Sequence, residues 1–501
     1  MSYEVIVVGA GPVGLTLAIE LHLAGVQPLV VERLAEPAPQ RKSRGVGPLA
    51  FEALERRGLG PALEACQPER QEEKKRDHGS AKNHFAWIHK IDPAMQDEPD
   101  RTGRLIWQPD LERILAEHVA ALGITVLREN TVTALVQNTE SVSITVATPE
   151  GEQQLEAAYL VGCDGGHSSI RRLAGFDFPG TAPIMTARQA QVQIADPDKL
   201  PPSGRLTGGL LIHGPGVLGT FDFVEGPDVP HGQVTAEEMQ ASVRRVAGVD
   251  VTITDVSDAL RFTDNARQAS TYRVGRVFLA GDAAHVHSPN GGQGLNLGLT
   301  DAVNLGWKLA AQVRGVAPDG LLDTYTEERH PAGVAVLDNT RAQSALMLPG
   351  PHTDALREIV SDLMDIKEVN QYFGRMLGGL ATRYPFPYVK PDDHQLIGCY
   401  CPGLTFVVAD QSGGFNTSGL SQFTATGRPV LAVPAGDPTL ELASGWRDRL
   451  EILQTDAIDD SRLSAVLVRP DGVIAWACSP GEPTDGALLE TALTTWLGAP
   501  A

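Results

Sequence analysis

The sequence predicts an α/β chain: a parallel sheet with covering helices, interrupted by an antiparallel sheet and followed by a separate C-terminal domain. Three features carry that expectation. The N-terminus reads strand–turn–helix–strand, residues 180–270 switch to short β-type runs, and a breaker-rich junction around 385–393 precedes a tail with its own alternating pattern.

Taken in order, YEVIVV (3–8) is an almost uninterrupted apolar run, as a strand buried on both faces requires. Gly14 to Gly25 forms the helix after it, and PLVVE (28–32) is a second buried strand that completes a βαβ unit. Helical periodicity returns at 48–65, with an Arg-Arg-Gly stop at 56–58, and again from Gln108 to Gly123, ahead of a strand at 124–128. Residues 67–102 are polar and breaker-rich and read as an excursion or lid. The stretch 131–160 alternates as a hairpin turning at Pro149-Glu150-Gly151 and leads into a short buried strand at 159–161.

Between about 180 and 270, runs such as GLLI (209–212) and GTFDFVE (219–225) predict an antiparallel sheet with one or two helices. Residues 276–280 are again a buried strand, a long helix runs from near Gly294 to about Val313, and 320–384 is mostly helical. In the tail, AVLVRPDGVIAW (465–476) is two apolar runs joined by a Pro-Asp-Gly turn.

At roughly 150 residues per domain, 501 residues imply about three domains. A net charge of −21 excludes a general nucleic-acid binder. Five cysteines, odd in number and without a CxxC pair, indicate a reduced, cytoplasmic chain. No basic leader precedes the first strand, and no apolar run of about 18 residues predicts a membrane span.

Gly9-Ala-Gly11-Pro12-Val13-Gly14 lies between a strand and a helix. Gly9 suits the tight turn, Gly11 lets backbone approach a pyrophosphate, and Gly14 lets the helix pack on the sheet, with the helix N-terminus facing the phosphates. Glu32, followed by Arg33, ends the next strand where a carboxylate can accept ribose hydroxyls. A loop that merely needs glycines would show the motif without this strand, helix and acid. The motif predicts a dinucleotide site but does not choose between FAD and NAD(P).

RVFLAGDAAHVHSPNGGQGLNLGLTDAVNLGWKLA (276–310) makes that choice. Here the chain resembles the group A FAD-dependent aromatic hydroxylases, the para-hydroxybenzoate and phenol hydroxylase type. The resemblance implies that Asp282, after Gly281, bonds the ribityl and pyrophosphate region of FAD. It implies further that the loop Pro289, Asn290, Gly291, Gly292, Gly294, Leu295 and Asn296 lies against the flavin ring, with Pro289–Gly291 near the oxygen-reacting site. The glycines and the helix N-terminus suit a flat ligand that gains negative charge.

DGGHSSIR (164–171) matches the family's DGxxSxxR, which implies a role for Asp164 at the pyrophosphate and in transient NAD(P)H binding. Taken alone, it reads as an ordinary turn with Ser168 as helix cap, and its spacing beside the other motifs favours the cofactor role instead. Gln108 and Arg44 match family positions near the FAD phosphates and adenosine; Arg41 and Lys42 are close enough to take the place of Arg44. His285 and His287 form an HxH, but no further cluster has metal-ligand spacing, so no metal is expected. Phe85, Trp87 and His89 on the excursion, and His213, Phe221 and Phe223 on the middle sheet, are pocket candidates, although alternating aromatics are more often core.

The resemblance implies a Rossmann-like FAD-binding domain of glutathione-reductase type (1–178 and 270–345) with an inserted substrate sheet (179–269, with parts of 76–106). A helical connection (346–390) and a thioredoxin-like domain without CxxC (391–501), structural or oligomerising, follow. The likeness is nearest to tailoring enzymes of aromatic polyketides and rifamycin-like naphthoquinones.

The expected function is hydroxylation of a polycyclic phenol or quinone through a flavin C4a-hydroperoxide, consuming O2 and NAD(P)H, with NADPH favoured. No side chain is required as a nucleophile. The alternatives are Baeyer–Villiger or other oxidative ring chemistry and, from another class, a non-catalytic flavin-binding scaffold. Absence of a WxWxIP segment argues against a halogenase. A homodimer is the assembly state left open.

Overall fold

A computed structural model describes residues 2–37, 43–66, 82–224, 232–409 and 415–501. Arg41, Lys42, Glu225 and residues 67–81 of the excursion lie outside the described residues.

Five parallel strands form the centre, in the order Val277–Leu279, Gly151–Gly162, Ser2–Val8, Pro28–Val31, Thr125–Leu127. Val8 pairs with both Val31 and Gly162, and Gly162 pairs with Leu279. Four strands therefore end level and release Gly9, Glu32, Cys163 and Ala280 at one edge, where open α/β sheets bind ligands. Helix Pro12–Leu23 packs against helices Gln108–Ala121 and Gly294–Val313. The Arg-Arg-Gly stop separates helices Pro48–Glu55 and Gly60–Ala65.

One expectation changes. Residues 159–161 are not a separate short strand but the buried end of the twelve-residue strand Gly151–Gly162. Its exposed first half pairs antiparallel with Val142–Thr148, and its second half enters the parallel sheet. The burial, and not the strand, changes at the middle.

The middle sheet is antiparallel: Gly204–Leu206, Gly209–Gly214, Val217–Asp222, Thr186–Ile194, Ile253–Thr263. One described helix, Ala236–Ala247, covers one face, where Leu211 and Leu218 pack with Met239, Val243 and Val246. Short strands Gly180–Thr181, Ala266–Gln268 and His285–Val286 join this region to the parallel sheet.

Within the excursion, strands Asn83–Phe85 and Ile88–Ile91 pair as a hairpin whose turn is Ala86–Trp87. Both turn residues have positive φ, 50° and 65°. A left-handed conformation costs a non-glycine residue about 1–2 kcal/mol. Burial of Phe85, Ile88 and Ile91 against Leu210, Met347 and Met364 offsets that cost.

Helices Asp323–Met347, Pro351–Leu363 and Lys367–Gly378 lead to the C-terminal domain. Its main sheet runs Glu451–Thr455, Val430–Pro434, Ala465–Val468, Ile474–Cys478, with the first pair parallel and the rest antiparallel. Among the described residues, no helix is long and apolar enough to cross a membrane.

The Pro-Asp-Gly turn between the last two strands is buried. It inserts Arg469 and Asp471, each about 1% exposed, into the seam between this domain and the rest of the chain. Arg469 forks onto Glu328 at 2.7 and 2.8 Å and also bonds Asp471; Lys308 reaches Glu328 at 2.8 Å, and Asn304 bonds both acids. Nearby, Arg57 forks onto Glu20 at 2.7 and 2.8 Å and donates to the carbonyls of Thr424 and Pro470. Burial alone would raise the Glu328 carboxyl, but Arg469 and Lys308 outweigh it and hold it well below the usual range. Buried charges persist only when matched this way.

Candidate functional site

The level strand ends open onto a cavity of about 2330 Å³ that continues to the uncovered face of the middle sheet. Ordinary small-ligand pockets hold roughly 300–1,000 Å³. The volume therefore accommodates more than one small molecule.

At the strand ends, Gly9, Gly11, Pro12 and Val13 line the wall. Gly9 has φ +110°, and a side chain there would meet the Cys163 carbonyl at 2.4 Å. Gly14 does not line the cavity: its absent Cβ would lie 1.9 Å from the Gly9 carbonyl oxygen, so it serves helix-to-turn packing. Around Gly11 a Cβ would meet nothing within 4 Å, leaving backbone open to the cavity. Glu32 accepts the Ala10 and Leu34 N–H groups at 2.7 and 2.9 Å. A carboxylate keeps further lone pairs for hydroxyl donors. Arg33, Arg44 and Gln108 also line this end, and Gln108 donates to Glu112 at 2.7 Å.

Asp164 lines the wall, but its carboxylate is engaged. It accepts the Ser168 hydroxyl and the N–H groups of Ser169 and Ile170, while Ser168 caps Arg171 N–H at 2.9 Å. The helix-capping reading of this motif is thus realised, whatever else the loop touches. Arg171 supplies a link that sequence reasoning missed: it donates to the carbonyls of Gly166 and Ala283, tying this loop to the Gly281–Asp282 turn.

Asp282 is exposed on the cavity wall and, among the described residues, has no hydrogen bond to protein. Gly281 faces away, packed on Val13. Behind the turn, Asp301 accepts the Gly281 N–H at 3.1 Å, pairs with His285 Nε2 at 2.7 Å and receives Arg329 Nε at 2.7 Å. Burial would raise the Asp301 carboxyl, but Arg329 and His285 hold it below its usual range. Arg329 continues to the Tyr384 hydroxyl, and Tyr384 to Tyr400, both 2.8 Å. The exposed carboxylate therefore stands on a buried ion pair that reaches the C-terminal region.

Pro289, Asn290, Gly291, Gly292, Gly294, Leu295 and Asn296 form the next stretch of wall, at the N-terminus of helix Gly294–Val313. Asn296 accepts the Gly47 N–H at 2.5 Å and donates to the Gly292 carbonyl at 3.0 Å. No side chain caps this helix, so its first N–H groups and dipole end face the cavity.

On the middle sheet, Leu210 pairs with Phe221, Phe221 with Ala187, and Ala187 with Phe262. This row makes an apolar floor, with Phe221 and Phe262 edge to face at 6.0 Å. Of the pocket candidates, Trp87, His213 and Phe221 line the cavity. Phe85, His89 and Phe223 do not: Phe85 packs tilted against Phe373 with ring centroids 4.6 Å apart, Phe223 packs with the hairpin cluster, and His89 packs beside His84 and Trp87. Residues two apart share a face only along a regular strand; the turn at Ala86–Trp87 and the strand end at Asp222 break that alternation between the members of each set. Leu210, Ile212, Phe262 and Met347 were missed, although GLLI with no polar alternate signals a strand with two apolar faces.

Comparison with known proteins places this geometry. Residues 2–340 match the family model described as FAD binding domain, and 394–500 match the aromatic-ring hydroxylase C-terminal model. The chain is 39% identical, over all of both chains, to 12-dehydrotetracycline 5-monooxygenase/anhydrotetracycline 6-monooxygenase of Streptomyces rimosus. It superposes with TM-score 0.86 on the crystal structure of an aromatic hydroxylase from angucycline biosynthesis, at 36% identity and full coverage of both. A dialkyldecalin synthase of Streptomyces rugosporus is 37% identical over all of both chains.

Proposed function

The chain belongs to the FAD-binding aromatic-ring hydroxylase family and is an FAD-dependent monooxygenase, and on that premise we propose that it hydroxylates a polycyclic aromatic substrate of polyketide type. The observation that carries the proposal is the single cavity joining the GxGxxG turn, Asp282, the PNGGQG loop and the apolar sheet floor. A fold shared with a dialkyldecalin synthase does not fix the reaction, so the site must carry it.

The residues fit FAD. The bare Gly11 backbone and the N-terminus of helix Pro12–Leu23 suit the pyrophosphate, and Glu32, with Arg33 and Arg44 near, suits the adenosine ribose. Asp282, an exposed carboxylate with no hydrogen bond to protein among the described residues, suits the ribityl hydroxyls; Gln108 and Asp164 stand at the phosphate end. Bound FAD supplies the dioxygen chemistry that no side chain here provides. The helix at Gly294 stabilises negative charge at its N-terminus. Leu210, Phe221 and Phe262 exclude water and orient a planar ring. NAD(P)H, with NADPH favoured, visits transiently: the second GxGxxG of the sequence, Gly214–Gly219, turns between two antiparallel strands and opens no helix for a dinucleotide.

The same reading divides the chain into a glutathione-reductase-type FAD domain (1–178 and 270–345), a substrate sheet (179–269, with parts of 76–106), a helical connection (346–390) and a thioredoxin-like domain (391–501). The last is structural. Burial pushes the Cys401 thiol up to about 12 and raises Cys399 and Cys478, so none is a ready thiolate.

Stopped-flow reduction of the holoenzyme by NADPH tests the proposal. Planar polycyclic phenols should accelerate flavin bleaching. No acceleration under any aromatic ligand would favour a flavin-binding scaffold instead.

A further inference from the structure

The hairpin turn at Ala86–Trp87 is built against local preference. A two-residue turn with both φ positive normally takes Asn-Gly, which adopts it without strain. Here Ala and Trp occupy it, at φ 50° and 65°. Two side chains, the buried Gln343 and the half-buried Arg357, impose the conformation: the Ala86 N–H donates to Gln343 Oε1 at 3.1 Å, and Arg357 donates to the Ala86 carbonyl at 2.7 Å. Gln343 also sits against the PNGGQG loop, since a Cβ on Gly291 would lie 2.9 Å from its Nε2. The turn is thus fixed relative to the loop that the proposed function assigns to the flavin ring.

Strain of this kind persists where surrounding structure over-determines a position, and such positions cluster at ligand sites. The strained residue carries the largest side chain available, half-buried on the cavity wall beside His84 (ring centroids 5.1 Å apart) and His89 (5.0 Å). Closing the hairpin needs no such ring; Phe85 and Ile88 already anchor it in the core. We propose that Trp87 is the stacking platform for the planar ring system of the substrate, and so a residue that sets selectivity for fused rings over single ones. This rests on the polycyclic-aromatic reading above. An indole face offers the large, sequence-fixed flat surface that offset ring stacking requires.

Calorimetric titration of the FAD-loaded full chain with alizarin, with a naphthacenequinone and with phenol tests it. The wild type should bind the two polycycles far more tightly than phenol. Trp87→Ala should weaken polycycle binding about tenfold or more, the scale expected for a lost stacking contact. Phenol affinity, FAD content and melting temperature should be unchanged. Trp87→Phe, which keeps a flat face, should stay within about threefold. If Trp87→Ala loses its fold, Trp87→Leu, apolar but not flat, decides the matter. Polycycle affinity unchanged in the folded alanine or leucine variant would overturn the platform and leave the polycyclic reading standing. Failure of the wild type to bind either polycycle would overturn both.

Discussion

Replacing Arg469 with alanine should destabilise the chain by about 3–5 kcal/mol, the usual cost of removing one partner from a buried ion pair. Glu328 and Asp471 would lose their shared guanidinium in a seam where both are nearly inaccessible to water. Lys308 would remain beside Glu328, but burial pushes its ammonium down to about 8, so it is a weak substitute for a fixed cation. Denaturant unfolding measures the loss. Arg469→Lys should recover only part of it, since a lysine cannot fork onto Glu328 and reach Asp471 together. A change below about 1 kcal/mol would mean that the seam is open to water in solution.

Gly14→Ala should abolish stable FAD loading. The new Cβ would stand 1.9 Å from the Gly9 carbonyl oxygen and 3.3 Å from Cys163 Cβ, so the phosphate turn or the helix must shift. A loss of affinity of at least about a hundredfold corresponds to about 2.8 kcal/mol, a modest demand for displaced backbone. Gly11→Ala separates cofactor effects from fold effects. Its Cβ meets no protein atom within 4 Å, so the apoprotein should melt normally while FAD binding falls. Flavin retained after gel filtration and apoprotein melting, measured for both variants, give the contrast.

The parallel core was legible because strands buried on both faces must be continuous apolar runs, and the glycine motifs sit where those runs end. The strand and helix around GxGxxG point to a phosphate turn, whereas the role expected of Asp282 comes only from the family resemblance of 276–310. What escaped depends on distant partners. RPDG reads only as a turn joining two apolar runs until Glu328, some 140 residues earlier in the chain, claims Arg469. DGGHSSIR alone reads as a turn with Ser168 as cap, and only the bonds of Asp164 to Ser168 and Ser169 and of Arg171 N–H to Ser168 show that cap formed. Phe85 and Trp87 share an alternating pattern, yet the positive φ at Ala86 and Trp87 sends one ring to the core and the other to the cavity. Backbone strain of that kind has no local sequence signature.

Isotopically labelled dioxygen, supplied to the holoenzyme with NADPH and an accepted polycycle, gives the most direct measurement of the central claim. The account predicts one labelled oxygen per product, carried as a hydroxyl on a ring carbon. A labelled lactone oxygen would contradict hydroxylation in favour of Baeyer–Villiger insertion. An unlabelled, rearranged product would remove oxygen transfer from the account altogether.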